Sequence, residues 1–142
     1  MTGAAPARLV TKPPEVHYHD LQDVFDKLKA LYFEGQLECQ IRWGRGRRLR
    51  GRRLGKLVTG LCWIDERLIT IHPALDQEWI PRRYVEWVVF HEMLHAKHGY
   101  FYGANGKRVI HSATLRAAEK RFRGHDWAVV WEQRNVVRLL RY

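Results

Sequence analysis

Two histidines four residues apart, with a glutamate directly after the first, form the segment His91-Glu92-Met93-Leu94-His95. On an α-helix each residue advances about 100°, so the two imidazoles stand roughly 40° apart and one turn along the axis. At that offset both rings can reach one Zn2+ at ordinary ligand distances and leave positions open for a third ligand and a water. Glu92, one step round the helix, is offset from the ligand positions. It can still accept a proton from a water whose pKa the metal lowers toward about 7. This is chemistry for hydrolysing a polarised carbonyl, with Glu92 as general base and His91 and His95 as metal ligands.

The helix that must carry these residues is marked by Pro81 in its first turn, a run to about His98 and a stop at Gly99. Val85, Trp87, Val88, Val89, Phe90, Met93 and Leu94 make it apolar nearly all round. An accidental motif on a surface helix would show a polar face, and buried Glu or His is costly unless paired or metal-bound. For the third ligand, His98 lies too far along the axis and suits the helix C-terminus, where an imidazolium meets the dipole favourably. His111, Glu119 and His125 remain. His111 follows a loop long enough to fold back and is expected to begin a helix. Glu119 would complete a two-His, one-carboxylate set. His125, between Gly124 and Asp126, suits a helix N-terminus or a donor on the substrate side, a role open also to Tyr100 and Tyr102.

The remaining elements follow from periodicity. Leu21, Val24, Phe25, Leu28, Leu31 and Tyr32 recur at helical steps, with Asp20 as N-cap and Gly35 as stop. Ile41-Arg42-Trp43 reads as a short strand. Gly55 to Ile64 and Arg67 to His72 read as a hairpin turning at Asp65-Glu66 and extending a small antiparallel sheet. Ala74 to Trp79 reads as a helical turn, Tyr100 to Arg108 as a loop, and Ser112 to Phe122 and Asp126 to Leu140 as helices. The order gives an α+β fold with the sheet segregated from the helices. The tryptophans are expected to be core or packing residues rather than a base-stacking platform, and His17 and His19 to lie in solvent.

A chain of 142 residues fits one domain. Residues 1–16, which include Pro13-Pro14, read as a flexible leader, and 17–142 as the domain. No run is long enough for a membrane span, so no membrane partner is expected. Cys39 and Cys62, far apart in apolar sequence, suit reduced thiols in the cytoplasm. Lys+Arg 25 against Asp+Glu 15 gives a net charge of +10, an excess that favours polyanions. Arg45, Arg47, Arg48, Arg50, Arg52 and Arg53 crowd the segment 42–56, a candidate nucleic-acid contact.

Beyond the five-residue motif, the chain resembles the SprT-like family of zinc metallopeptidases, to which the Spartan proteases belong. The likeness runs through Tyr32-Phe33-Glu34-Gly35-Gln36-Leu37, Ile41-Arg42-Trp43, Ile69-Thr70-Ile71-His72-Pro73-Ala74-Leu75-Asp76 and Tyr84-Val85-Glu86, and covers about Leu21 to Phe122. In that family a third histidine opens an HGxEF- or HGxEW-like stretch. The matching residues here are His111-Ser112-Ala113-Thr114-Leu115, with Ser112, Thr114 and Leu115 departing from the pattern. The resemblance therefore implies His111 as third ligand. It also implies a minimal zincin-like fold, with a small sheet packed on the active-site helix and substrate along a strand edge. Protein or peptide substrates are implied, and Spartan-type relatives act on proteins crosslinked to DNA. The CxxC pair of some longer relatives is missing. The alternative from another class is a nucleic-acid-binding module with a structural zinc site, against which Glu92 and the lack of cysteines near the motif count.

Overall fold

A computed structural model of the chain describes residues 16–45, 49 and 57–142. The first helix among the described residues, α1 (Leu21–Tyr32), starts where Asp20 accepts the N–H of Asp23 at 3.1 Å. Leu21, Val24, Phe25 and Leu28 form its buried stripe. It ends as the N–H groups of Phe33 and Gly35 both turn back to the carbonyl of Lys29, with Gly35 at φ +72°. That left-handed backbone is the reason for glycine there.

Three four-residue strands follow, β1 (Gln40–Trp43), β2 (Gly60–Trp63) and β3 (Leu68–Ile71), in the spatial order β1-β3-β2. β2 and β3 form the expected hairpin, Cys62 opposite Ile69, but β1 lies parallel to β3, Ile41 opposite Ile69. The sheet is mixed, which corrects the antiparallel expectation. The chain leaves β1 and doubles back through β2 before entering the central strand β3, so β1 and β3 share a direction. Alternation along β3 sends Ile69 and Ile71 into the core, while Leu68 and Thr70 face the other way, half-buried.

The hairpin turn closes on Arg67, whose φ of +55° is unusual for a residue with a side chain. Its guanidinium donates from Nε to the carbonyl of Glu38 at 2.9 Å and from Nη1 to the carbonyl of Ala96 at 2.6 Å. One side chain thereby ties the turn to the approach of β1 and to the last turn of the long helix.

After a 3-10 turn at Pro73–Leu75, capped by His72, comes α2 (Arg82–His98). Pro81 occupies its N-cap position, where it makes no side-chain cap bond, and the first turn has no acid. Gly99, at φ +64°, ends it. Eleven of its residues are buried, from Tyr84 to Ala96, because β2 and β3 pack on one side and α1, α3 (Ala113–Glu119) and α4 (His125–Leu139) on the others. Fully buried Leu28, Ile69, Ile71, Leu75, Ile80, Met93, Leu115 and Leu139 form the core round it. Burial of each stabilises the fold by about 1.5–3 kcal/mol. Arg82 pairs with Asp23, and buried Glu86 with Lys27 at 2.7 Å, linking the start of α2 to α1.

The loop expected between α2 and α3 contains a small ribbon, β4 (Phe101–Tyr102) paired antiparallel with β5 (Arg108–Val109). Two further expectations change. His19 is buried, because Asp76 accepts the backbone N–H groups of Tyr18 and His19 at 2.7 and 3.0 Å and holds this segment against the domain. Trp63 is 49% exposed on the outer face of the sheet rather than in the core. The architecture is α+β, and no helix among the described residues is long and apolar enough to cross a membrane. Residues 1–15 of the leader lie outside the described residues.

Candidate metal centre

His91 and His95 stand one turn apart on the middle of α2, and the fold brings His111 to them. One nitrogen from each of the three rings lies within 4.8 Å of the others, close enough to bind a metal ion. The Nε2 atoms of His91 and His95 are 3.1 Å apart. Two imidazole nitrogens sharing a tetrahedral ion at about 2.0–2.1 Å are separated by roughly 3.3 Å, so the helix pair already has the spacing of a coordination edge. The ring centroids of His95 and His111 are 4.7 Å apart, and those of His91 and His111 5.8 Å. His111 does not begin a helix as expected. It precedes Ser112, whose Oγ caps α3 by accepting the N–H of Leu115 at 3.1 Å.

The two helix histidines are shifted in opposite directions. Burial, with the neighbouring charges of His91 and His111, pushes the pKa of His95 down to about 3, leaving it neutral at ordinary pH. Its Nδ1 is buried and has no hydrogen-bond partner among the described residues. Burial also opposes a proton on His91, but the hydrogen bond to Glu119 and the charges of Glu92, Glu119 and Glu132 outweigh it and raise its pKa. His91 Nδ1 contacts Glu119 Oε1 directly. For Glu119, burial raises the pKa while the bond to His91 and the charges of His91, His125 and His111 lower it, with a net fall. Three imidazoles with a carboxylate behind one of them form a donor set that fits a divalent metal.

Glu92 is buried at 6% exposure, beside the pair on α2. Its carboxylate lies against Gly60 of β2: a Cβ there would stand 3.0 Å from Glu92 Cγ and 3.1 Å from Oε2. Gly60 is thus a site residue that the sequence reading missed, and glycine at the start of an apolar strand was its only signal. Among the described residues β2 is one of the two edge strands of the sheet, so the carboxylate sits beside an edge strand. Cys39 and Cys62 are free, half-buried thiols. Burial, with Cys39 and Glu92 nearby, pushes the Cys62 thiol up to about 12, away from the reactive thiolate.

His125 is the first residue of α4, with its ring 6.4 Å from Trp87, which is in turn 6.4 Å from His91. It falls outside the three-residue cluster, as does Glu119. Tyr100 donates its hydroxyl to Asp65 at 3.3 Å and stacks under Arg108, and Tyr102 is exposed. His98, the last residue of α2, is exposed and outside the cluster. Of the basic residues, Arg42 and Arg45 are exposed at the end of β1. Arg47, Arg48, Arg50, Arg52 and Arg53 lie outside the described residues.

Comparison with protein families, curated proteins and solved structures finds no match.

Proposed function

We propose that this chain is a zinc-dependent peptidase, with His91, His95 and His111 holding the metal and Glu92 as general base. The observation that carries this reading is the pairing of a three-imidazole cluster with a buried carboxylate on the next residue of the same helix. A structural zinc site closes all four positions with protein ligands, often Cys. Here the cluster among the described residues offers three histidines and no cysteine.

Zinc, when bound, supplies a Lewis acid that polarises a carbonyl and acidifies water. Glu92 accepts the proton of the attacking water on a carboxylate oxygen and returns it to the nitrogen of the leaving amine. Burial of Glu92 keeps solvent from competing for that oxygen, and contact with Gly60 limits its movement. An extended peptide can pair with the edge of β2 beside Glu92, backbone to backbone, which binds without demanding sequence. The resemblance to SprT-like metallopeptidases points the same way.

The test is metal content of purified wild type, His91→Ala and His111→Ala by elemental analysis, followed by hydrolysis of an unfolded protein. Near-stoichiometric zinc in wild type, lost in both variants, with Glu92-dependent hydrolysis, is the expected result. A folded wild type that takes up no zinc when it is supplied would sink the reading.

A second reading rests on a separate observation. The sheet face turned away from α2 forms a groove of about 960 Å3, lined by Arg42, Arg45, Leu61, Trp63 and Thr70. Cations beside an exposed indole suit a nucleic-acid strand, through phosphate neutralisation and stacking. DNA held there would bring proteins bound to it toward the edge of β2. Addition of single-stranded DNA to the hydrolysis assay tests this; Trp63→Ala should abolish any stimulation.

A further inference from the structure

We propose that Glu119 is the positioning residue of the metal centre, holding the His91 ring so that its Nε2 faces the metal. This rests on the metal-binding reading above. Glu119 was a candidate third ligand on residue type alone, but its oxygen meets the Nδ1 side of His91, while the Nε2 of that ring faces His95. A carboxylate on Nδ1 fixes the proton there and frees the Nε2 lone pair for a metal, and it makes that nitrogen more basic.

The sequence of α3 accounts for this placement. Leu115, Ala118 and Glu119 fall at i, i+3 and i+4, one helical face. Leu115 and Ala118 are buried and set the roll of the helix, which turns Glu119 inward to His91. The same short helix is capped by Ser112 immediately after His111. One end of α3 therefore presents a ligand, and the other holds the ligand across from it.

His95 has no equivalent support. Its Nδ1 is buried without a hydrogen-bond partner among the described residues, so no contact on that side of the ring holds it. The orientation of the helix pair thus depends on the Glu119 contact more than it would in a site where both histidines were buttressed.

The test compares zinc affinity, by chelator competition, and the Co2+ absorption spectrum for wild type, Glu119→Ala and Glu119→Gln. Glutamine keeps an oxygen that accepts the Nδ1–H bond. Glu119→Ala should bind zinc roughly 10- to 100-fold more weakly. Its Co2+ band positions should match wild type, because the ligand set is unchanged, and Glu119→Gln should recover most of the affinity. Wild-type affinity in folded Glu119→Ala overturns the proposal. So does a Co2+ spectrum that changes with Glu119→Ala but not with His111→Ala, since Glu119 would then be a ligand. If Glu119→Ala does not fold, Glu119→Gln decides: near-wild-type affinity supports the role, and a loss as large as His91→Ala overturns it. A wild type that binds neither metal removes the metal reading and this proposal together, an outcome distinct from all the others.

Discussion

Gly60 and Glu92 meet closely: a Cβ on the strand residue would stand 3.0 Å from Cγ of the helix residue and 3.2 Å from Ile71 Cδ1, so the neighbouring side chains would have to shift by a few tenths of an ångström. The edge strand and the proposed base are therefore set against each other. Gly60→Ala should push the Glu92 carboxylate aside while leaving the histidines in place. We expect hydrolysis to fall by roughly 10- to 100-fold, with zinc content unchanged. Full activity in Gly60→Ala would show that Glu92 need not keep this position.

Removing the charge of Glu92 tests its role directly. Glu92→Gln preserves shape and should retain zinc, while hydrolysis drops by about 10²- to 10⁴-fold. Loss of zinc in this variant, measured by elemental analysis, would instead make Glu92 part of the metal's support.

The depressed pKa of His95 has a defined consequence for the metal-free protein. Its folded value of about 3 lies below the ordinary 6.5, so the unfolded chain takes up the proton first as pH falls. The contribution is intact above about pH 6.5 and is lost progressively toward pH 3. Urea unfolding of chelator-treated protein at pH 7, 6 and 5 should show a steeper decline for wild type than for His95→Gln. Equal slopes would mean that the ring is not kept neutral by the fold.

Arg67 separates a side-chain effect from a backbone one. Arg67→Ala loses both carbonyl contacts and keeps a positive φ, and should cost about 2–4 kcal/mol in stability. Arg67→Gly loses the same contacts but relieves the backbone, so its loss should be smaller by about 1 kcal/mol. Chemical denaturation of the two variants checks the order. Glycine proving the worse of the two would place the strain elsewhere.

How far the site was readable depended on whether local pattern or topology set each residue. Asp20 as a cap, the apolar helix through His91 and His95, and the stop at Gly99 follow from short-range rules. His111 was reached through resemblance, because a loop of unknown path separates it from the helix. The parallel pairing of β1 was hidden, since a four-residue strand alternates alike in either direction. Glu119 could be recognised as a possible ligand but not as a neighbour of Nδ1, which depends on how α3 rolls. His19 looked solvated because nothing in its own segment reveals that Asp76, 57 residues on, captures its backbone N–H. The basic segment 42–56 falls largely outside the described residues, so Arg47 to Arg53 rest on composition alone.

The start of α2 has Arg82 and Arg83 in its first turn, no acid there and no side-chain cap. These residues meet the positive end of the helix dipole unfavourably. Two carboxylates offset this: Asp23 of α1 meets Arg82, and Glu86, one turn into α2, is shared between Arg82 and Lys27. The proposed metal-binding motif is consequently not a transplantable cassette. A peptide spanning residues 80–100 would keep Glu86 but lack Asp23 and the buried neighbours of the helix, and would lose the helical geometry that aligns His91 with His95. Engineering this motif into another scaffold would require a surrogate for α1 as well as for the third histidine.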